Sequence, residues 1–314
     1  MSNLDYTLLF CYCRHMDTQK ALERISGNGF IAALDQSGGS SPKALAAYGL
    51  DESTWGGDQE QMFEKIHEMR TRIIINPKFD DRISGAILFE RTMNSEIEGV
   101  PTAQYLSEKN IVPFLKVDEG LADENNGVQL MKPMAGLTER LKSANDHGIF
   151  GTKMRSVIQS ANVEGVAAIV AQQFEVGNII IDAGLMPILE PEVNIKSADK
   201  AECEAVLREE LLKALDALPE DRQVMLKLTL PEAANFYSEI IAHARVLRVV
   251  ALSGGYSRDD ANQKLAVNNG MTASFSRALV QDLRAGQSEE EFTAALDSAI
   301  DSIYQASMSE AVSV

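Results

Sequence analysis

From Asp17 to Tyr304 the chain alternates between two hydrophobic periods with little between them, and this limits its fold more than any other feature. Apolar runs of strand length occur at 29–36, 83–90, 111–118, 148–155, 186–193, 224–230, 248–255 and 272–277. Helical patterns separate most of them, at 18–25, 58–75, 137–146, 163–178, 198–218 and 289–304. In 58–75, Met62, Ile66, Met69 and Ile73 recur on one face. Strands this apolar are buried on both faces, as in a parallel sheet covered by helices. Eight of them predict an α/β protein built as a single-domain (β/α)8 TIM barrel. A doubly wound sheet would carry a Gly-x-Gly-x-x-Gly turn after its first strand, and none follows here.

The barrel is expected over residues 16–305, with an irregular leader over 1–15 and a polar tail over 306–314. The length of 314 residues suits one such barrel, and no Pro-, Gly- or Ser-rich linker divides it. In the leader, Tyr6 to Cys13 is apolar but follows Asp5 rather than the basic residues of a secretory signal. Cys11, Cys13 and His15 alternate as metal ligands might be spaced, yet no Cys-x-x-Cys partner motif follows, and a metal site is not expected. Three cysteines make no disulfide framework and point to a reducing cytoplasm. No apolar stretch approaches the ~20 residues of a membrane span. A net charge of −17 excludes non-specific nucleic-acid binding, though not a small phosphorylated ligand held by local cations and amides. Nothing decides for or against a homo-oligomer.

The sixth run, Val224 to Leu230, carries Lys227 at its centre. A lysine desolvated there, near other cations, has a lowered amine pKa and is a Schiff-base nucleophile; the alternative is a lysine snorkelling from a strand end. The other strands also end on polar groups: Asp35, Lys116 and Asp118, Lys153 and Arg155, Glu190 and Glu192, Ser253 and Arg277. In a barrel those ends converge on one face, where the active site lies. Two glycine pairs add anion donors, Ser37-Gly38-Gly39-Ser40 after strand one and Ser253-Gly254-Gly255 at the end of strand seven. The second pair, with Arg277 after strand eight, stands where barrels usually hold a phosphate. Two separated donor clusters suggest a ligand with a phosphate at each end.

Taken together, Ala33-Leu34-Asp35-Gln36-Ser37, Leu115-Lys116-Val117-Asp118, Thr152-Lys153-Met154-Arg155, Glu190-Pro191-Glu192, Met225-Leu226-Lys227, Leu252-Ser253-Gly254-Gly255 and Phe275-Ser276-Arg277 form a specific ordered set. Over about 29–304 the chain resembles the class I fructose-1,6-bisphosphate aldolases, most closely their shorter bacterial type. The resemblance implies Lys227 as Schiff-base lysine and Glu190 as the principal proton-transfer group, with Asp35 and Lys153 assisting at the cleaved bond. It implies a C1-phosphate pocket at Ser253, Gly254, Gly255 and Arg277. For the C6 phosphate it points to Ser37, Ser40 and Lys116, with Lys43 a further candidate. Arg155 corresponds to another substrate-contacting cation, and Glu192 to a group that orients its neighbours. No cofactor or metal is implied, and the partners are small-molecule sugar phosphates.

Two departures stand out. Animal members carry Glu where this chain has Gln36, and they end in a tyrosine with a part in the proton chemistry where this chain ends in Val314. The group that protonates the enamine is therefore left open. Three rival functions are weighed. A zinc-dependent aldolase is opposed by His15, His67, His147 and His243, which share no ligand spacing. A Schiff-base aldolase for monophosphates is opposed by the two phosphate clusters. A catalytically idle barrel is opposed by Lys227, Glu190, Lys153 and Asp35 standing together in the motif set.

Overall fold

The eight strands are β1 (Phe30–Leu34), β2 (Ile83–Leu88), β3 (Val112–Lys116), β4 (Gly151–Ile158), β5 (Met186–Val193), β6 (Val224–Thr229), β7 (Val246–Leu252) and β8 (Met271–Ala273). The computed structural model describes residues 16–37 and 39–309; the expected leader, Gly38 and residues 310–314 lie outside the described residues. Each strand pairs in parallel with the next in sequence, so spatial order follows chain order. The ring closes where the Ala33 N–H donates to the Phe275 carbonyl at 3.1 Å. This is the (β/α)8 barrel the sequence predicts.

The helices used below are α1 (Thr18–Ser26), α2 (Ser41–Tyr48), α3 (Gln59–Ile75), α4 (Leu137–Asp146), α5 (Val163–Asp182), α6 (Lys200–Ala217), α7 (Arg258–Ala266) and α8 (Glu289–Met308). Local chemistry starts several of them. Asp58 accepts from the amides of Glu60 and Gln61 at the start of α3, and Ser288 with Glu291 forms a reciprocal cap at the start of α8. α3 buries Met62, Ile66, Met69 and Ile73 against the barrel, as their spacing predicts.

α1 closes the N-terminal end of the barrel. Its Ala21 and Ile25 join Ile31, Ala33, Ile87, Phe114, Ile188, Met225 and Val250 in one buried cluster. Arg248 holds it there, donating to the carbonyls of Ile25 and Gly27 at 2.8 and 2.7 Å. At the middle of this plug lies the Phe114 ring. A Cβ on Gly151 would stand 2.9 Å from that ring and 2.3 Å from the Met186 carbonyl oxygen, so only glycine fits.

Along the strands, inward positions alternate with period two. An apolar residue or glycine therefore lies two positions before each charged one: Ala33 before Asp35, Phe114 before Lys116, Gly151 before Lys153, Ile188 before Glu190, and Met225 before Lys227. One layer fills the barrel, and the next forms the floor of its open C-terminal mouth.

Several boundaries differ from expectation. β4 starts three residues later than expected, because Gly148 turns with φ 73°, and runs on to Ile158. A two-residue strand, Val128–Gln129, pairs antiparallel with Ile158 and Val157 and supplies the extra partners. β7 stops at Leu252, before the left-handed Gly254 and Gly255 (φ 59° and 119°). The expected tail from 306 is also corrected. α8 runs on to Met308, and the buried Ser307 hydroxyl accepts from the Ala273 N–H at 3.0 Å. The sequence reading passed over α2 and α7, which begin beside serines at Ser40 and Ser257.

Candidate active site

Four strand ends bring Asp35, Lys153, Glu190 and Lys227 into one contact group. Lys227 Nζ lies 3.0 Å from Glu190 Oε1, and Lys153 Nζ lies 2.9 Å from Glu190 Oε2 and 2.6 Å from Asp35 Oδ2. Lys153, Glu190 and Lys227 are only 4%, 3% and 4% exposed, so their charges face one another more than water. Lys153 makes an ion pair with Oε2 of Glu190 without hydrogen-bond geometry, and that buried oxygen accepts no hydrogen bond. An open acceptor in such a place suits a hydroxyl delivered by a ligand.

The electrostatics divide the labour among these groups. Burial pushes the Asp35 carboxyl up, but the ammonium groups of Lys153 and Lys227 outweigh it and hold Asp35 well below the usual carboxylate range. Burial likewise works to lower the Lys153 amine, and Asp35, Glu190 and Asp118 reverse this and raise it well above an ordinary lysine. Asp35 is thus kept as an anion and Lys153 as a cation. Lys153 is a poor nucleophile in this setting, whatever its burial.

The flanking residues pair among themselves. Arg155 Nη1 lies 3.0 Å from Glu192 Oε2, and the Arg155 amide donates to Asp118 Oδ2 at 3.3 Å. Burial raises the Glu192 carboxyl, opposed by Arg155 and reinforced by the charge of Glu190. Lys116, expected among the phosphate donors, donates to the carbonyl and to Oδ1 of Asp118, both at 2.7 Å. It lines the cavity but is held by its own strand end.

That cavity has a volume of about 860 Å³ and reaches both glycine-rich turns. It is large enough for a ligand of several dozen atoms. Ser253, Gly254, Gly255 and Arg277 line it. A Cβ on Gly255 would meet the Arg277 guanidinium at 3.5 Å, and one on Gly254 would meet Ile195 at 2.6 Å, so side chains from two other loops press on this turn. Ser37, Ser40 and Lys43 line it as well. Here the Ser37 amide donates to Ser40 Oγ at 3.0 Å, and the Ser40 and Ser41 amides donate to the Ser37 carbonyl. The two expected clusters therefore share one cavity with the four charged groups.

The histidines stand apart from it. His67 contacts the Glu96 carbonyl at 3.2 Å, His147 that of Ser143 at 2.8 Å, and His243 the Asp216 carboxylate at 3.1 Å. His15, Cys11 and Cys13 lie outside the described residues. Among the described residues, no three His, Cys, Asp or Glu side chains are grouped to hold a metal ion, and no helix is long and apolar enough to cross a membrane.

Sequence reasoning missed two groups at the site. Ser274 lines the cavity with a buried hydroxyl that has no partner. Arg70 lies beneath the Asp35 loop, 1% exposed. Its signal was available: it falls four residues after Ile66 and four before Ile74, on the buried stripe of α3.

Comparison with known proteins bears on the family and the fold. The family model for class I fructose-bisphosphate aldolase matches residues 17–236, from the helix that plugs the barrel through the strand of Lys227. A fructose-bisphosphate aldolase from Plasmodium falciparum, crystallised with TRAP and a small-molecule inhibitor, superposes with a TM-score of 0.74 at 22% identity. That match covers 92% of this chain and 93% of the other, and it bears on the fold. A Corynebacterium glutamicum protein matches at a TM-score of 0.50 and 13% identity, over 93% of this chain and 92% of its own, a general likeness of architecture. With the family model spanning more than half of its length, the chain belongs to the class I fructose-bisphosphate aldolase family.

Proposed function

We propose that the protein cleaves fructose 1,6-bisphosphate reversibly to dihydroxyacetone phosphate and glyceraldehyde 3-phosphate, through a Schiff base on Lys227 and without a metal or cofactor. The observation that carries this is the shared carboxylate: Glu190 lies within 3.0 Å of both Lys227 and Lys153. Glu190 takes a proton from the Lys227 ammonium and frees the amine to attack the C2 ketone. It then returns that proton to the carbinolamine hydroxyl, which leaves as water while the nitrogen lone pair closes the iminium.

Lys153, held protonated between Asp35 and Glu190, stabilises negative charge instead of competing as nucleophile. Asp35, kept ionised by its two lysine neighbours, is the base for the C4 hydroxyl. As the C3–C4 bond breaks, its electrons pass to the iminium, glyceraldehyde 3-phosphate leaves, and an enamine remains. Protonation and hydrolysis of the enamine release dihydroxyacetone phosphate and restore Lys227. Acid–base help of this kind is typically worth ~10²–10⁴ in rate.

A substrate with two phosphates is favoured because two donor clusters line one cavity: Arg277 with the Ser253–Gly255 turn, and Ser37, Ser40 and Lys43. A cytoplasmic location goes with this activity and with the free, buried Cys203.

Borohydride decides the mechanism. Reduction in the presence of dihydroxyacetone phosphate is expected to fix one triose phosphate per chain, on the peptide holding Lys227, and to abolish cleavage. Glu190→Gln is expected to label at the same lysine, but slowly. Label on Lys153 or Lys116 would overturn the residue assignment. An active enzyme that takes no label would overturn the chemistry.

A further inference from the structure

Among the described residues, a buried arginine beneath the site has no carboxylate bonded to it. Arg70 Nη1 donates to Thr92 Oγ1 at 2.7 Å, and Nη2 donates to both the carbonyl and the side-chain Oε1 of Gln36, the latter at 3.2 Å. Burial draws the guanidinium down to about 10, against the opposing charge of Asp35, so it stays charged at neutral pH. Because a guanidinium can only donate, Gln36 must turn its oxygen to Arg70 and its Nε2 the other way. That Nε2 donates to Ser276 Oγ at 2.8 Å.

The chain of contacts thus runs from α3, through the residue after Asp35, to the residue before Arg277. It joins the end of β1 to the loop after β8. The backbone closure Ala33–Phe275 lies one layer lower. Thr92 adds a third anchor, on the short helix Glu90–Met93 that follows β2.

We infer that Arg70 and Gln36 are positioning residues: acting through Ser276, they couple the Asp35 carboxylate at the cleaved bond to the Arg277 loop of the phosphate pocket. A phosphate seated against Arg277 then braces the loop that Gln36 grips, and Asp35 is held against its hydroxyl. The inference rests on the proposed aldol cleavage and assigns these two residues a part in it. It predicts that the link matters to C–C cleavage and not to imine formation, since Lys227 and Glu190 stand on β6 and β5 and bond no member of it.

The test is a double-mutant cycle between Gln36→Leu and Ser276→Ala. Cleavage of fructose 1,6-bisphosphate is followed beside borohydride labelling with unphosphorylated dihydroxyacetone. Each single variant is expected to lower kcat about tenfold, on the scale of one buried hydrogen bond. Labelling should change less than about twofold, and the double variant should be no slower than the slower single. Arg70→Met should behave like Gln36→Leu, and Arg70→Lys, which keeps a donor for the Gln36 carbonyl, should recover part of the loss. Multiplicative effects in the double variant would overturn the coupling, as would cleavage and labelling falling in parallel. Unchanged kcat in both single variants would do the same. A wild type that cleaves without labelling would refute the Schiff base, while the cleavage cycle would still judge the link.

Discussion

Two layers of the same barrel, one residue pair apart on the same strands, are built on opposite principles. The lower layer holds Ala33, Phe114, Gly151, Ile188 and Met225, closed beneath by α1. The upper layer holds Asp35, Lys116, Lys153, Glu190 and Lys227. They are separated by roughly 6.6 Å, two residues at about 3.3 Å each. The lower layer is favoured by apolar burial, at about 25 cal/mol per Å². In the upper layer, pairing largely offsets the desolvation of five charges and adds little net stability. The lower layer holds the strands in place, and the upper spends that rigidity on chemistry.

The largest expected effects separate the layers cleanly. Lys227→Met should abolish turnover and labelling. Its cost in stability should be below that of Phe114→Ala, since Glu190 keeps Lys153 as counter-ion. Phe114→Ala, which empties the space that Gly151 leaves for the ring, should cost about 3–5 kcal/mol in denaturant unfolding. Its folded fraction should keep kcat near wild type. Equal destabilisation by the two substitutions would break the comparison and make the upper layer structural as well.

A smaller effect lies at the rim. Arg277→Ala should weaken apparent affinity for fructose 1,6-bisphosphate by about 1.5–3 kcal/mol, the worth of a charge-assisted contact, with little change in stability. A loss no larger than that from a surface arginine such as Arg91 would remove Arg277 from the phosphate pocket.

The smallest effect is in the pH dependence of unfolding. Asp35 has a depressed folded pKa, so its contribution is complete above the ordinary value of about 3.9 and is lost as pH falls through the folded value. Lys153 has a raised folded pKa, so its contribution is complete below about 10.4 and is lost as pH rises through the folded value. Asp35→Asn should therefore flatten the acid side of the stability curve, and Lys153→Met the alkaline side. Phe114→Ala should lower the whole curve without reshaping it. An Asp35→Asn curve that keeps its acid slope would locate that titration elsewhere.

By itself the sequence determined the eight strands, most of the covering helices and the charged residues at the strand ends. These rest on period-two and period-3.6 patterns, which are local and can be read along the chain. Asp35, Lys153, Glu190 and Lys227 were legible because each is a charged residue in or at the end of an apolar run. Tertiary structure alone decided that Glu190 would stand between two lysines, that Lys116 would turn to Asp118, and that β4 would run on beside Val128–Gln129. It alone joined Arg70 to Gln36 and Gln36 to Ser276, across separations of 34 and 240 residues. No local period carries such distances: which side chains meet across the mouth of a barrel depends on how the strands stagger and close.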